Sequence, residues 1–307
     1  MPYGHIRQYE DLVEEAQAKR IKITRKQRQQ IARMYEEISK DFGKNLEGKS
    51  EKTLTYRWIK DYAKSLKGES KTIYTELQGI VSNSILNTAK AVTSAQEAFW
   101  GKINPLLSEQ FRDVFSAIPQ SCVDELMNGG IYKDFAGLSE RLWNYQEKFN
   151  WDIGYVINRG IIEKKSAFDL AKDLERYLKP GVTKPWSWRK VYPNSNQIVD
   201  YNTQRLARTS VTHAYQISFQ RSTRNNPFIE KYQWHSSNSG RVCPLCLSRD
   251  GQLYEKDDVP LDHPNGMCII TAVISKSYEQ IADELADWAR GGKNPALDLS
   301  LIHIFPS

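Results

Sequence analysis

The sequence predicts an α+β fold that is mainly helical. Apolar residues recur at helical spacing through most of the first 180 residues, whereas short alternating or β-branched runs appear only after residue 230. Three of the four cysteines lie close together in the C-terminal part. We predict four segments, which are a helical N-terminal region (1–180), an aromatic connecting loop (181–200), a domain in which a long helix packs on a small sheet (201–292), and a tail (293–307).

Capping residues and glycine or proline breaks predict the helix boundaries of the N-terminal region. A capping box at Thr24–Gln27 is expected to open a helix that ends at Gly43. Later helices are expected to end near Gly68 and at Pro119, and another is expected to begin after Ser166. An Asn-Gly-Gly sequence at 128–130 predicts a further break. The aromatic loop that follows this region either packs on neighbouring helices or serves as a docking surface.

The C-terminal part combines one long helix with short strands. The helix is predicted over Tyr201–Arg224, and Lys231–His235 alternates like a strand. Leu253 and Tyr254 form a short strand candidate. The β-branched run Ile269–Ile274 is expected to be the central strand, because such residues favour a pleated, buried position. A capping box at Ser277–Gln280 predicts a last helix.

Composition limits the classes of protein that are compatible with this chain. It has 307 residues and a net charge of +6, which permits a polyanionic partner without requiring one. No apolar run is long enough to span a bilayer, and the polar first residues do not resemble a signal peptide. Few cysteines with metal-like spacing favour a reducing compartment. Cys122 stands apart from the others and is predicted to be a buried apolar residue.

Four residues have the spacing of a structural zinc site. Cys243, Cys246, His263 and Cys268 follow the pattern Cys-x2-Cys-x16-His-x4-Cys. Two thiolates from one knuckle and a His and a Cys from a second loop complete a tetrahedron, so no position is left open for water. Such a site contributes about 10 kcal/mol to folding. We therefore predict structural zinc, in a module over residues 231–275 that is too small to be stable without it.

A thiol redox pair is the alternative interpretation of the Cys-x2-Cys sequence. Redox pairs of this type lie at the start of a helix. Here the pair is followed by Leu247–Gly251, which ends in an Asp-Gly turn signal. The sequence therefore favours the metal site.

A dense basic run in the N-terminal region is the candidate nucleic-acid contact. Its cations can bind phosphates, or they can form the solvated face of a helix start, which is the favoured interpretation. A basic helix start opposes the helix dipole, which keeps the phosphate hypothesis open. The candidate residues are Lys19, Arg20, Lys22, Arg25, Lys26 and Arg28.

The last residues differ in character from the segment before them. Leu299–Ser307 is apolar, lacks capping residues and resembles a translated sequencing adapter. We expect this stretch to be a non-native scar, and we expect the natural protein to continue beyond about Asp298.

Three segments resemble the phage Mu F-like minor head protein family, also called the phage head morphogenesis family. They are Arg205–Thr209 at the start of the long helix, Trp234–Cys246 with the cysteine pair, and Asp250–Gly251 with Leu261–Cys268. The sequence departs from the family pattern in two places. Ile269-Ile270 stands where a further cysteine often follows, and Ser210 replaces a frequent acid.

The resemblance implies a minor capsid protein of a tailed bacteriophage or prophage that acts in head morphogenesis. Family members occur in few copies, associate with portal and procapsid proteins, and in some cases bind DNA. The expected location is the interior of the phage head, with the host cytoplasm during assembly. A closed metal site and the lack of an isolated catalytic constellation predict a non-enzymatic role, and neither a membrane nor a small-molecule substrate is an expected partner. Some members carry a C-terminal toxin domain.

Two other functions are compatible with a zinc module. The first is an HNH-type nuclease, because Asp262-His263 resembles the Asp-His pair of such enzymes. That chemistry needs a histidine free to act as general base, and with His263 used as a ligand, His235 is the nearby candidate. The second is a DNA-binding regulator, although a strand and not a basic recognition helix follows the knuckle. Nonspecific DNA binding stays compatible with both. His213, on the long helix, is interpreted as a structural residue.

Overall fold

A computed structural model describes residues 7–44, 56–178, 201–237 and 242–302. These residues are mainly helical, and a small antiparallel sheet lies in the C-terminal region, which confirms the predicted α+β class. The strands are β1 (Lys231–His235), β2 (Leu253–Tyr254) and β3 (Ile269–Val273). The helices are α1 (Arg7–Lys44), α2 (Tyr56–Ile103), α3 (Pro105–Asn128), α4 (Leu138–Ile162), α5 (Ala167–Leu178), α6 (Tyr201–Thr223), α7 (Pro244–Arg249), α8 (Tyr278–Ala289) and α9 (Pro295–Ile302).

The sheet has the strand order β2-β1-β3, so the central strand is β1. The prediction that the β-branched run Ile269–Ile274 would be central is wrong. Tyr232 pairs with Tyr254 on one side and with Ala272 on the other, and both pairings are antiparallel. Burial explains the error, because Ile270 and Ala272 are buried although β3 pairs with only one strand of this sheet. A β-branched composition indicates burial of a strand and does not indicate its place in the order.

Three predicted helix boundaries are absent because the helices continue through them. α1 passes through Thr24, whose hydroxyl donates to the carbonyl of Arg20 in the same helix at 3.0 Å. α2 continues through Gly68, and α3 continues through Pro119. Each break residue weakens a helix locally, but extended apolar faces stabilise the helices on both sides of it. Phe115 and other residues of α3 on both sides of the proline are buried.

Other predicted boundaries are confirmed. Ser277 caps α8 through a full capping box with Gln280. Ser166 accepts a hydrogen bond from the main-chain N–H of Asp169 at the start of α5. α3 ends at Asn128 and is followed by Gly129, which has a positive φ of 90°. These boundaries are readable from sequence because a cap acts through its nearest neighbours only.

The chain forms two compact units, and each is assembled from separate stretches of sequence. The predicted division at residues 180 and 200 stays a prediction, and the predicted aromatic loop (181–200) lies outside the described residues. Within the described part of the chain, no helix is both long and apolar enough to cross a membrane. The first unit comprises residues 7–24, 83–126 and 208–302, and the second comprises the described parts of Arg25–Ser82 and Met127–Ala207.

An aromatic cluster lies in the core of the first unit. Phe99 is fully buried, and its ring lies 5.2 Å from Tyr9 of α1, 5.3 Å from Trp100 and 5.6 Å from Tyr278 of α8. The Gln96 side-chain amide donates to the Tyr9 hydroxyl at 3.3 Å. The cluster joins the N-terminal helix, α2 and the last helices in one core.

In the second unit, α4 and α5 pack closely at Gly160. A Cβ atom at this position would lie 2.6 Å from a methyl carbon of Leu170, so glycine permits the approach. Tyr177 of α5 donates a hydrogen bond to the buried carboxylate of Asp152 on α4. Elsewhere in this unit, the hydroxyls of Tyr35 and Thr203 share a hydrogen bond of 3.1 Å.

We predict that Phe99→Ala lowers the free energy of unfolding by about 3–5 kcal/mol, because it removes a buried ring and leaves a cavity. Val114→Ala on α3 is the matched control, since Val114 is 38% exposed and its loss should cost less than about 1 kcal/mol. Urea denaturation followed by tryptophan fluorescence measures both variants. Equal losses in the two proteins would contradict a stabilising role for the aromatic cluster.

Candidate metal centre

The first two predicted ligands lie at the start of α7. Cys243 is the N-cap residue of this six-residue helix, and its sulfur accepts a hydrogen bond from the N–H of Cys246 at 3.4 Å. Pro244 occupies the first helical position, where a missing N–H costs nothing. The cysteine pair therefore lies at a helix start, and the expected Asp-Gly turn follows that helix at residues 250–251. A position at a helix start is compatible with a redox pair as well as with a metal site, so the residues that face the two sulfurs distinguish the two interpretations.

A histidine from a second loop faces both sulfurs. His263 Nε2 lies 3.3 Å from Cys243 Sγ and 3.0 Å from Cys246 Sγ. These three ligand atoms all lie within 4.8 Å of one another, which is close enough to hold a metal ion. A redox pair requires only the two sulfurs, so an imidazole that faces both of them favours the metal site over the redox pair.

Cys268 belongs to a second, overlapping group of ligand atoms. This group contains Cys246, Asp262 and Cys268, whose ligand atoms also lie within 4.8 Å of one another. Cys246 is common to both groups, so the structure divides the four predicted ligands between two overlapping groups. It adds Asp262, which the sequence analysis did not assign as a ligand. Cys246, Asp262 and Cys268 are buried, whereas Cys243 and His263 are half-buried.

Hydrogen bonding orients the histidine for metal binding. Its Nδ1 lies 3.0 Å from the carbonyl of Pro264 and donates to it, so Nε2 carries the lone pair that faces the sulfurs. Burial lowers the pKa of His263, but the Pro264 carbonyl and the negative charge of Asp262 outweigh burial, and the pKa is raised overall. The carbonyl therefore fixes the tautomer that a metal ligand requires.

The two thiols of the pair have different electrostatic environments. The N–H of Cys246 donates to Cys243 and lowers the pKa of the Cys243 thiol. Burial raises the pKa of Cys246, and neighbouring thiols raise it further. A metal ion would bind both as thiolates and would offset the cost of ionising Cys246. By contrast, burial raises the pKa of Cys122 to about 11, which agrees with its predicted place in the core.

Asp262 organises the loop that carries the last two ligands. Its carboxylate accepts hydrogen bonds from the N–H of His263 at 2.8 Å and the N–H of Cys268 at 3.1 Å. A Cβ atom at Gly266 would collide with this carboxylate, so glycine is required at that position. The buried Asp262 side chain therefore holds the main chain at both His263 and Cys268.

Helix α6 holds the tip of the same loop through Arg208 and Thr209. Arg208 donates to the side-chain oxygen of Asn265 at 2.7 Å, and the Thr209 hydroxyl accepts from the Asn265 N–H at 2.8 Å. Asn265 has a positive φ of 68°, a conformation that asparagine tolerates better than most residues. Two adjacent helix residues therefore fix the strained point of the loop.

Further along α6, three more polar side chains bind the loop main chain. Thr212 donates to the carbonyl of Gly266 at 2.9 Å, and Gln216 accepts from the N–H of Asp262 at 3.0 Å. His213 Nε2 lies 3.0 Å from the carbonyl of Asp262. This contact supports the structural interpretation of His213. Thr212 and Gln216 belong to none of the motifs named from the sequence, and their only signal is that they follow Arg208 at successive intervals of four positions, on one helix face.

Arg20 is buried, which corrects its assignment as a phosphate-binding residue. Its guanidinium donates to the carbonyls of Met267 at 3.0 Å and Cys268 at 3.2 Å and lies over the Tyr215 ring. Burial lowers its pKa, whereas the charges of Tyr215, Asp262 and Cys268 oppose this effect. Because α1 is continuous, Arg20 lies on the buried face of a helix and not at a helix start.

The other candidates for nucleic-acid contact lie at the surface of α1. Lys19 pairs with Glu15 at 2.8 Å. Nucleic-acid binding by these side chains stays a prediction. The exposed candidates are Lys19, Lys22, Arg25, Lys26 and Arg28.

Comparisons with known proteins found no relative: no family model matches the sequence, and no curated protein or solved structure shows significant similarity to it.

We predict that Gly266→Ala weakens metal binding by about 10–100-fold, because the new methyl group displaces the Asp262 carboxylate from the two N–H groups that it holds. Gly154→Ala is the matched control, since no atom outside the backbone of its own helix and its chain neighbours lies within 4 Å of the added carbon. Competition with a chromogenic chelator measures the affinity of both variants. Unchanged affinity in Gly266→Ala would show that Asp262 does not position the ligands.

Proposed function

We propose that the metal centre binds zinc in a structural role. Three thiolates and one imidazole form a soft ligand set of the kind that selects zinc, and four protein ligands close a tetrahedral site. The surrounding contacts support this role, because Asp262 and α6 hold the loop main chain. Metal binding would then stabilise a short loop, α7 and the small sheet together.

We further propose that the chain is a minor head protein of a tailed bacteriophage or prophage. The observation that carries this proposal is the spatial convergence of the segments behind the family resemblance. Arg208 and Thr209 contact Asn265 in the segment that supplies His263 and Cys268, and His263 faces the cysteine pair. The family assignment is based on these motif segments alone. Their convergence gives each one a physical reason to occur with the others.

The contacts of the histidines favour an assembly role over hydrolysis. A nuclease of the HNH type needs a histidine that can accept a proton from water. Both ring nitrogens of His263 are engaged, one with Pro264 and the other with the sulfurs. His235 Nε2 lies 2.8 Å from the Thr271 hydroxyl. These interactions use the two histidines within the protein, which favours a structural role for the site.

The proposed role defines the partners and the location. The protein would associate with portal or capsid proteins in few copies and reside inside the phage head, after assembly in the host cytoplasm. Contact with packaged DNA would be nonspecific and would weaken steeply with salt, because phosphate contacts release counterions. The exposed cations of α1 are the candidate residues for this contact.

We predict that the purified protein contains one zinc ion per chain, and that the double variant Cys243→Ser, Cys246→Ser loses it together with the fold of the C-terminal region. Native mass spectrometry and elemental analysis measure the metal content. Cys122→Ala is the matched control and should retain the metal, because Cys122 belongs to neither ligand group. A folded C-terminal region without metal would contradict the structural role.

We predict that the protein is a low-copy component of particles made by the phage or prophage that encodes it. Quantitative mass spectrometry of purified particles should find far fewer copies than of the major capsid protein. Protease should degrade it only after the heads are opened. Absence from particles, with the protein present in the infected cell, would contradict the head assignment. DNA cleavage that is lost in a metal-retaining His235→Ala variant would indicate a nuclease instead.

A further inference from the structure

Arg20 is a buried cation whose hydrogen-bond acceptors belong to the loop Leu261–Cys268, called the metal loop below because it carries His263 and Cys268. Its side chain is 1% exposed, and its two terminal nitrogens donate to the carbonyls of Met267 and Cys268. Its Nε is buried without a hydrogen-bond partner among the described residues. A guanidinium in this position depends on the loop, because few other groups replace its lost hydration.

The ligand Cys268 is held from both sides by opposite charges. Its N–H donates to the Asp262 carboxylate, and its carbonyl accepts from Arg20. The peptide groups at the two ends of this residue are therefore fixed before its sulfur meets a metal. Asp262 acts from within the loop, whereas Arg20 reaches it from α1.

Charge balance gives Arg20 a second function at this site. A divalent zinc ion with three thiolates and a neutral imidazole carries a net negative charge, and the buried Asp262 carboxylate adds another. Arg20 brings a positive charge to the same loop, within hydrogen-bond distance of Cys268. A buried cation beside such a centre favours its metal-bound, deprotonated state.

We propose that Arg20 is a positioning residue of the metal centre, and that through it metal binding and the docking of residues 7–24 of α1 stabilise each other. The inference rests on the proposed metal site and is independent of the phage assignment. Tyr9, Val13 and Ala16 lie on the same buried face of α1 as Arg20, at intervals of four and three residues. The metal loop thus contacts Arg20 at one end of this row of buried residues, and the other three residues of the row pack in the core.

The coupling is reciprocal. If docked α1 raises the affinity for metal by some factor, bound metal raises the stability of docked α1 by the same factor. Loss of the metal frees the loop, and Arg20 then loses its two acceptors in a buried place. The turn of α1 that carries Arg20 must open so that the guanidinium regains water.

The first arm of the test measures zinc affinity in the full chain. We expect Arg20→Met to lower it by about 10–100-fold, as outer hydrogen-bond partners of metal ligands do when removed. Arg20→Lys keeps the charge but loses the planar fork, so an intermediate loss is expected. Lys22→Met is the matched control, because Lys22 is exposed on the same helix, and it should bind zinc like the parent protein. Equal affinities in all four proteins would overturn the proposal.

The second arm measures hydrogen exchange by mass spectrometry, with and without zinc chelation. In the parent protein and in Lys22→Met, chelation should accelerate exchange in residues 16–24 at least tenfold. In Arg20→Met these residues should exchange fast already, and chelation should add little. Residues Asn83–Leu126 of the same unit serve as the internal reference.

Three outcomes of this arm would overturn the coupling. If chelation accelerates exchange only in residues 243–268, the metal site stands and the link to α1 fails. If chelation accelerates exchange in Asn83–Leu126 as much as in α1, the whole unit unfolds, and Arg20 does not specifically link the metal site to α1. If elemental analysis finds no bound zinc in the parent protein, the metal site and the coupling both fail.

Discussion

The main-chain groups of the metal loop are buried and need hydrogen-bond partners, and side chains of α1 and α6 in the first unit supply several of them. The stretch from Leu261 to Cys268 has no regular hydrogen-bonding ladder, yet Asp262 and Cys268 are buried. Unpaired main-chain groups in such places cost free energy comparable to a lost hydrogen bond. Asp262, Arg20 and the polar row of α6 supply partners from inside the loop and from two helices. The ligand geometry follows from these contacts.

This need explains the unusual character of α6. An ordinary surface helix buries an apolar stripe, but α6 is buried nearly all round and places Thr212, His213 and Gln216 against the loop. Tyr215, on the same helix, provides the ring under the Arg20 guanidinium. The helix therefore contributes to the core and to the metal loop at once. A substitution on either face of α6 would therefore disturb the contacts of the other face.

Spacing alone identified the Cys and His residues that the structure places close enough to hold a metal ion, because a cysteine pair and a distant His-x4-Cys form a local chemical pattern. The caps at Ser166 and Ser277 were readable for the same reason. The false helix start at Thr24 and the misplaced central strand share another cause, since tertiary packing overrides local propensity. Burial of Arg20 could not be predicted from the basic run, because it depends on a loop that lies 248 positions later in the chain.

That separation in sequence has a consequence for biosynthesis. A growing chain at about 5–20 residues per second needs roughly 12–50 s to travel from Arg20 to Cys268. During this interval the turn of α1 that carries Arg20 has been synthesised, but the carbonyls of Met267 and Cys268 that receive the Arg20 guanidinium do not yet exist. The nascent chain therefore exposes the apolar face of α1, and the Arg20 guanidinium beside it has not yet met its two acceptors. Its completion is a late event of translation, and shielding of that face by other molecules matters most before the metal loop emerges from the ribosome.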